Sequence, residues 1–306
     1  MINKKKLLVS DVDDNTRIDK WLKRKFSLLT QSYIENKLRR GFIRVNENKI
    51  KSNYKVIAGD VISILRYSEE IFKKVKKNKK SISKKLLDNF KNSIIYQSSD
   101  FIIINKWSGI FSQAGTNTNI SIDDIIKNIS NNYSIVHRLD KDTTGLMIIA
   151  KNYKSARLFG NLFKNHEIEK KYIAVCQGIP KNLSSIVNLE IEKKKSLVTT
   201  VTEYKVIMKL NKTSLILYKP TTGKTHQLRI VSEYLNCPII GDLKYNKNNN
   251  YKQEKLMLNA HYLKFIFKNH KYEFKSKIPN NFIKFIKKNN SSSQIEKKIE
   301  DSLKAF

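Results

Sequence analysis

Residues 135–151 read Ile135-Val136-His137-Arg138-Leu139-Asp140-Lys141-Asp142-Thr143-Thr144-Gly145-Leu146-Met147-Ile148-Ile149-Ala150-Lys151, and the rest of the chain is organised around them. The apolar runs at its two ends have the composition of buried strand segments. The polar residues between them predict a loop that turns at Thr143-Thr144-Gly145. This strand–loop–strand unit would present the carboxylate of Asp140 between two cations, Arg138 and Lys141. On composition alone, a solvated surface loop is an equally good interpretation.

Three further stretches accompany this one along the chain. Asp100–Gly109 is an apolar run that ends in Asn-Lys-Trp-Ser-Gly. Glu169–Val175 reads Glu-Lys-Lys-Tyr-Ile-Ala-Val. Lys219–Arg229 contains Gly-Lys-Thr-His-Gln-Leu-Arg, and Pro-Ile-Ile-Gly-Asp follows at 238–242. From Ser93 to about Pro279 the four stretches resemble, in order, the motifs of the RluA family of pseudouridine synthases.

The resemblance implies an enzyme that isomerises uridine to pseudouridine in RNA. This reaction breaks the glycosidic C–N bond, turns the uracil and forms a C–C bond to the same ribose. Since it involves no net redox change and no group donor, we expect neither a cofactor nor a metal ion. It requires a carboxylate beside the ribose, acting as nucleophile or base, and a target base taken out of the helix stack.

The resemblance assigns three residues to catalysis. Asp140 matches the essential catalytic Asp of the family. Tyr172 could stack on the uracil and present its hydroxyl, although a lone strand Tyr is more commonly a core residue. Arg229 matches an Arg that forms an ion pair with the catalytic Asp. Arg138 matches a residue that fills the space left by the flipped base, but an exposed loop Arg could equally contact phosphate.

His137, Lys224 and His226 are further candidates for substrate binding because they lie in the matching motifs. A lone His in a strand or at a helix start is more often a hydrogen-bonded structural residue, and no ligand spacing suggests a metal site.

The chain departs from the family pattern at several positions. Lys224 replaces an Arg, Asn259 replaces a His, and Trp107 replaces a Pro. These departures affect the expected supporting contacts and the contacts with the RNA backbone, but not the catalytic centre itself.

Residues 1–66 resemble the S4 RNA-binding module, most closely as it occurs in the C-type enzymes of the ribosomal large subunit. The resemblance rests on Arg17-Ile18-Asp19, Gly41–Asn46 and Ala58-Gly59-Asp60. Two predicted helices would present basic side chains to RNA phosphates. These side chains include the predicted RNA-binding residues Arg24, Lys37, Arg39 and Arg40. A solvated basic face is the alternative interpretation.

The sequence thus predicts an α+β protein with a small S4 domain and a mixed, mainly antiparallel pseudouridine synthase domain. The lysine-rich residues 67–92 would form a flexible linker, and the catalytic domain would span residues 93–280. Residues 281–306 form a basic tail for which we expect a frayed helix or disorder.

Net charge and composition limit the partners and the compartment. The 306 residues carry 60 Lys and Arg against 27 Asp and Glu, a net charge of +33. This charge favours a polyanionic partner, although an AT-rich genome would also encode a chain rich in Lys, Ile and Asn. The two Cys show no metal or disulfide pattern, and no apolar run is long enough for a signal peptide or a membrane span. We expect a cytoplasmic monomer without membrane contact.

The C-type resemblance implies 23S ribosomal RNA or large-subunit precursors as the substrate. Two alternatives remain at this point. One is a pseudouridine synthase of the D type, or one with another RNA target. The other is a non-catalytic S4-type ribosome assembly factor, against which the presence of Asp140, Tyr172 and Arg229 argues.

Overall fold

Two compact units make up the chain, residues 1–79 and residues 80–306, here called the N-terminal and C-terminal units. The computed structural model describes residues 3–26, 28–72, 81–113, 120–193, 196–247, 250–289 and 294–306. Part of the predicted lysine-rich linker, residues 73–80, lies outside the described residues. The range 67–92 also contains a helix that the sequence analysis did not predict, α3 (Lys84–Asn92) of the C-terminal unit.

The N-terminal unit combines short strands with two helices. Its elements are β1 (Lys4–Leu8), β2 (Thr16–Arg17), α1 (Ile18–Lys25), α2 (Gln31–Arg39), β3 (Ile43–Val45), β4 (Lys55–Val56) and β5 (Val61–Leu65). The strands β1, β5 and β3 form one antiparallel sheet, and β2 pairs with β4. Trp21 of α1 is fully buried in the core between the helices and the sheet, and donates its indole N–H to Asp13 Oδ2 at 2.8 Å.

The C-terminal unit is built on one large twisted sheet with helices packed against it. Its helices are α3 (Lys84–Asn92), α4 (Ile122–Ile129), α5 (Tyr153–Lys164), α6 (Gln227–Tyr234), α7 (Asn280–Asn289) and α8 (Ile295–Ala305). Its strands are β6 (Ile94–Gln97), β7 (Phe101–Lys106), β8 (Ser134–Ile135), β9 (Thr144–Ala150), β10 (Glu169–Gln177), β11 (Ser184–Lys193), β12 (Ser196–Leu210), β13 (Thr213–Pro220), β14 (Leu258–Phe267) and β15 (His270–Lys275).

The strand order is β11-β12-β13-β10-β14-β9-β7-β6, with β8 beside β9 and β15 beside β14. Among the strands described, β9 and β14 pair in parallel and the other pairs are antiparallel. The mixed, mainly antiparallel α+β fold expected from the sequence is therefore confirmed. The parallel pair joins two antiparallel halves of the sheet.

Gly145 permits that junction. Its φ of +110° lies in a region that L side chains rarely adopt, and a Cβ built there would lie 2.3 Å from the carbonyl oxygen of Ala260 on β14. No larger residue fits between the two strands. One residue earlier in each strand, the side-chain amide of Asn259 donates to Thr144 Oγ1 at 2.9 Å. The strand thus begins at Thr144, within the turn expected at 143–145.

The continuous apolar runs of β7 and β9 are explained by burial on both faces of the sheet. In β9, Met147 and Ile149 pack into one cluster and Leu146 and Ile148 into another. Helix α4 contributes to the first cluster and α5 to the second. Covered on both sides, β9 is a rigid support for the loop that precedes it.

In the described parts of the C-terminal tail, residues 281–289 and 294–306, two helices pack on the core, so the expectation of a frayed helix or disorder was wrong there. Its apolar residues recur at helical spacing in α7 and α8, and the buried ones are Phe282, Phe285, Ile286, Ile295, Ile299 and Leu303. They pack into the same core cluster as β10 and β13. The buried ammonium of Lys171 on β10 also donates to the main-chain oxygen of Leu303 at 2.9 Å. The lysines between these positions obscured the amphipathic pattern in the sequence.

Replacing Ile299 by Ala should lower the free energy of unfolding by about 2–5 kcal/mol, the usual cost of truncating a buried Ile. The exposed neighbour Lys298 provides the control, since Lys298→Ala should change stability by no more than about 0.5 kcal/mol. Urea denaturation followed by circular dichroism measures both variants. Equal stability of the two would mean that α8 does not contribute to the folded core.

Candidate active site

The loop that carries Asp140 is tied to the segment after β7. The hydroxyl of Ser112 accepts from the Leu139 amide at 2.9 Å and donates to the Leu139 carbonyl at 2.7 Å. On the other side of Asp140, the Gly109 amide donates to the carbonyl of Lys141 at 3.1 Å. Asp140 is thus fixed from both neighbours, while its own side chain remains 29% exposed.

Lys106 is a residue of this site that the sequence analysis did not identify. Its side chain is fully buried, and its Nζ donates to the carbonyls of Trp107, Ile110 and Lys141 at 3.1, 3.0 and 2.9 Å. Burial lowers the pKa of Lys106 to about 7, although the charges of Asp142 and Asp140 oppose that shift. The ammonium links the turn after β7 to the Asp140 loop. The sequence did contain a signal for a buried role, because Lys106 is a charged residue at the end of an apolar run, just before Trp-Ser-Gly.

Arg229 on α6 faces two carboxylates. Its Nε and Nη2 bind Asp242 bidentately at 2.7 and 2.8 Å, and its Nη1 lies 3.6 Å from Asp140 Oδ2. Burial alone would raise the pKa of Asp242, but the hydrogen bonds from Arg229 and from the amides of Tyr245 and Lys244 hold it below its usual value. Asp242 therefore orients the guanidinium, whose remaining edge faces Asp140.

His226 approaches the same carboxylate oxygen. It immediately precedes α6, and its φ of +56° lies in the left-handed region. Its Nε2 lies 3.8 Å from Asp140 Oδ2, and its Nδ1 lies 3.0 Å from the Tyr245 hydroxyl. Burial lowers the pKa of His226, Asp140 opposes this shift, and the positive charge of Arg229 reinforces it. Burial and the charge of Arg229 thus favour the neutral imidazole.

Tyr172 lies on β10, and burial followed by the charge of Asp140 raises the pKa of its hydroxyl well above 10. The hydroxyl remains protonated at neutral pH and is available as a donor.

His137, by contrast, has a structural environment. Its Nε2 accepts from the Ile148 amide at 2.8 Å, its ring packs on Phe163, and burial with the nearby Lys170 lowers its pKa to about 3.

One cavity of about 990 Å³ brings together the predicted residues of the C-terminal unit. It is lined by the three predicted catalytic residues and by Arg138, His137, Lys224 and His226. Arg138 and Lys224 are exposed, and Lys164 and Lys170 add positive charge to the wall. Within the described ranges, no three His, Cys, Asp or Glu side chains are grouped as metal ligands.

The remaining predicted binding residues belong to the N-terminal unit. Arg24 forms an ion pair with the buried Asp13, which occupies its guanidinium within that unit. Lys37 lies over the rings of Tyr33 and Phe42. Two arginines at the C-terminal end of α2, Arg39 and Arg40, are exposed. Through the part of the chain that the structure describes, no helix is long and apolar enough to cross a membrane.

The mixed sheet and the carboxylate in a basic cavity agree with the motifs of the sequence, and comparison with known proteins gives the class. The family model described as RNA pseudouridylate synthase matches residues 100–234. The chain belongs to the RNA pseudouridylate synthase family and is an RNA pseudouridine synthase. The resemblance drawn from the sequence motifs is thereby confirmed.

Its curated relatives include the ribosomal large subunit pseudouridine synthase C of Rickettsia bellii, 35% identical over 76% of this chain and 83% of that protein. The enzyme of the same name from Buchnera aphidicola subsp. Acyrthosiphon pisum is 30% identical over 82% of this chain and 86% of that protein.

Among solved structures, human RNA pseudouridylate synthase domain containing 4 shares the fold, with a TM-score of 0.56 and 24% identity over 65% of this chain and 93% of that one. Human RNA pseudouridylate synthase domain containing 1 gives a TM-score of 0.57 and 21% identity, and the match covers 72% of this chain and 96% of that one.

Replacing Lys106 by Met should lower the free energy of unfolding by about 1–3 kcal/mol, because carbonyls at a buried position lose their donor. Amide hydrogen exchange at Gly109 should also become faster as the Asp140 loop loosens. Lys91→Met, at an exposed position of α3, is the control and should leave both measurements unchanged. Unchanged exchange at Gly109 in the Lys106 variant would contradict the anchoring role.

Proposed function

We propose that this enzyme isomerises specific uridines to pseudouridine in 23S ribosomal RNA, with Asp140 as the catalytic carboxylate. The observation that carries the proposal is the environment of Asp140 Oδ2. Nη1 of Arg229 and Nε2 of His226 approach that oxygen at 3.6 and 3.8 Å inside a basic cavity. A negative charge held there could act on a ribose that enters with its base flipped out of the stack.

The chemistry needs the following from the chain. The carboxylate of Asp140 acts on the ribose as nucleophile or base while the bond between C1′ and N1 breaks. The uracil turns within the cavity, and its C5 bonds to C1′. The proton on C5 is then lost and N1 gains one, so the product has the same atoms as the substrate. No external donor, oxidant or reductant is required, and we propose that the reaction proceeds without a cofactor.

We assign the surrounding residues to substrate handling. Tyr172 stacks on the flipped uracil and keeps its hydroxyl as a donor, consistent with its raised pKa. Arg229 stabilises the negative charge of Asp140. Arg138, exposed at the cavity wall, fills the space that the flipped base leaves in the RNA. Lys224, a compact charge on a flexible stem, contacts a phosphate.

The proposed RNA target rests on the curated relatives, whose printed name is ribosomal large subunit pseudouridine synthase C. A net charge of +33 supports a polyanionic substrate. We assign residues 1–66 to an S4-type module that holds the RNA through exposed cations such as Arg39 and Arg40. A ribosomal RNA substrate implies that the enzyme works in the cytoplasm, and we propose that it does so as a monomer.

Replacing Asp140 by Asn should reduce pseudouridine formation to the background seen without enzyme, while RNA binding persists. The reason is that Asn has nearly the same shape but carries no negative charge. Asp301→Asn, on the exposed side of α8, is the matched control and should modify RNA at the wild-type rate. Pseudouridine mapping on 23S ribosomal RNA and on a short stem-loop measures activity, and a filter-binding assay measures affinity. A comparable rate in the Asp140 variant would exclude this carboxylate from catalysis.

Replacing Arg39 and Arg40 together by Ala should weaken RNA binding and make the dependence of log K on log salt shallower by about 1–2 units, because fewer counterions are released. The control removes two exposed cations from the C-terminal unit, Lys271→Ala with Lys277→Ala. Titrations at several salt concentrations compare the two double variants. An equal change of slope in both would show that α2 has no special part in holding the RNA.

A further inference from the structure

The two side chains that face Asp140 both depend on one short loop, residues 241–246, here called the Asp242 loop. Asp242 binds the guanidinium of Arg229, and the Tyr245 hydroxyl binds Nδ1 of His226. The Tyr245 ring also lies beneath the Arg229 guanidinium, 5.1 Å from ring centre to Cζ, and meets the His226 ring edge to face. The Asp242 loop thus contacts both Arg229 and His226, the two side chains that approach Asp140 Oδ2.

The Asp242 loop has little freedom to adopt another shape. Asp242 is 1% exposed, and its Oδ1 accepts from the amides of Lys244 and Tyr245 at 2.9 and 3.0 Å. Gly241 has φ of +76°, and a Cβ built there would lie 2.3 Å from the backbone of Lys255. The carboxylate that orients Arg229 therefore also fixes the backbone of Tyr245, and the two contacts to Asp140 are built as a unit.

We propose that Tyr245 is a positioning residue, whose hydroxyl selects the tautomer of His226 that turns an Nε2–H towards Asp140. The proposal rests on Asp140 being the catalytic carboxylate, as proposed above. An ionised carboxylate only accepts hydrogen bonds, so Nε2 must carry the proton if the neutral imidazole is to face it favourably. Nδ1 is then an acceptor, and the Tyr245 hydroxyl donates to it. The opposite tautomer would place a lone pair against the negative charge.

The charges around His226 are consistent with a neutral ring. Asp140 and Asp242 favour its protonation, whereas Arg229 and Lys244 oppose it, and burial, the largest influence, also opposes it. The separation of 3.8 Å from Nε2 to Asp140 is longer than a hydrogen bond. Catalytic contacts often tighten only when substrate is bound, so a preset tautomer has its greatest effect at that stage.

Tyr245 itself does not line the cavity, and it therefore acts through His226 rather than on the RNA. This separates it from Tyr172, which lines the cavity directly. It also makes the isosteric Tyr245→Phe variant informative, because Phe retains the ring beneath Arg229 and beside His226 and removes only the hydroxyl. The matched control is Tyr234→Phe, since Tyr234 is 62% exposed at the end of α6.

The first measurement is the single-turnover rate of the full chain on a stem-loop RNA at saturating enzyme. Tyr245→Phe should be slower by about threefold to tenfold, the effect of one lost hydrogen bond, with unchanged RNA affinity. Tyr234→Phe should match the wild type. An unaltered rate in Tyr245→Phe, or a loss of affinity in place of rate, would overturn the proposal.

The second measurement is the nitrogen chemical shifts of the imidazole of His226 in the RNA-free protein, assigned with a His226→Gln variant. The wild type should show the Nε2–H tautomer at neutral pH. In Tyr245→Phe the neutral ring should lose that preference and its pKa should rise, because a hydrogen bond that favoured the neutral form is gone. A wild-type ring with the proton on Nδ1, or identical spectra in the two proteins, would refute the assignment.

A failure of this inference and a failure of the proposed function would give different results. If Asp140→Asn remained active while the nitrogen shifts behaved as expected, the catalytic role of Asp140 would be wrong and Tyr245 would still set the tautomer. If Asp140→Asn were inactive and the shifts did not respond to Tyr245→Phe, the catalytic assignment would stand and the positioning role would fall.

Discussion

The close approach of β9 and β14 at Gly145 is the constraint on which the rest of the structure depends. It joins two antiparallel halves of the sheet through one parallel pair, and the contact is possible because Gly145 has no Cβ to meet the Ala260 carbonyl. Asp140 lies in the loop that enters β9, on one side of this junction. Tyr172 and Arg229 come from β10 and α6, on the other side. The cavity exists because two parts of the chain, each folded around its own contacts, meet at this pair of strands.

The electrostatics of the cavity show a division of labour among cations. Lys106 is buried and donates hydrogen bonds to backbone carbonyls, so it holds the Asp140 loop in place. Arg229 is held by Asp242 and turns its remaining edge to Asp140. The exposed Arg138 and Lys224 keep their charges at the solvent-accessible wall. The buried cations thus hold parts of the protein in place, and the exposed ones leave positive charge at the cavity wall.

The two histidines of the motifs illustrate how position decides role. His137 accepts from a β9 amide and is kept neutral by burial, so its contacts serve the strand that supports the loop. His226 has one nitrogen towards Tyr245 and the other towards Asp140. Both residues line the cavity, and only their hydrogen-bond partners distinguish a structural ring from one directed at the carboxylate.

The sequence by itself determined the family through four motifs, and the resemblance that these motifs carry implied the mixed sheet and the residues that meet in the cavity. Continuous apolar runs predict doubly buried strands such as β7 and β9, and the order of four motifs identified Asp140, Tyr172 and Arg229. Tertiary structure decided the rest. The pairing of Arg229 with Asp242, the carbonyl cage of Lys106 and the contact of Tyr245 with His226 join residues brought together by the folded backbone, and no local periodicity encodes them. The tail was misjudged because its frequent lysines obscured a stripe of apolar residues. That stripe packs on a sheet face formed by residues distant in sequence, and only the folded chain shows that face.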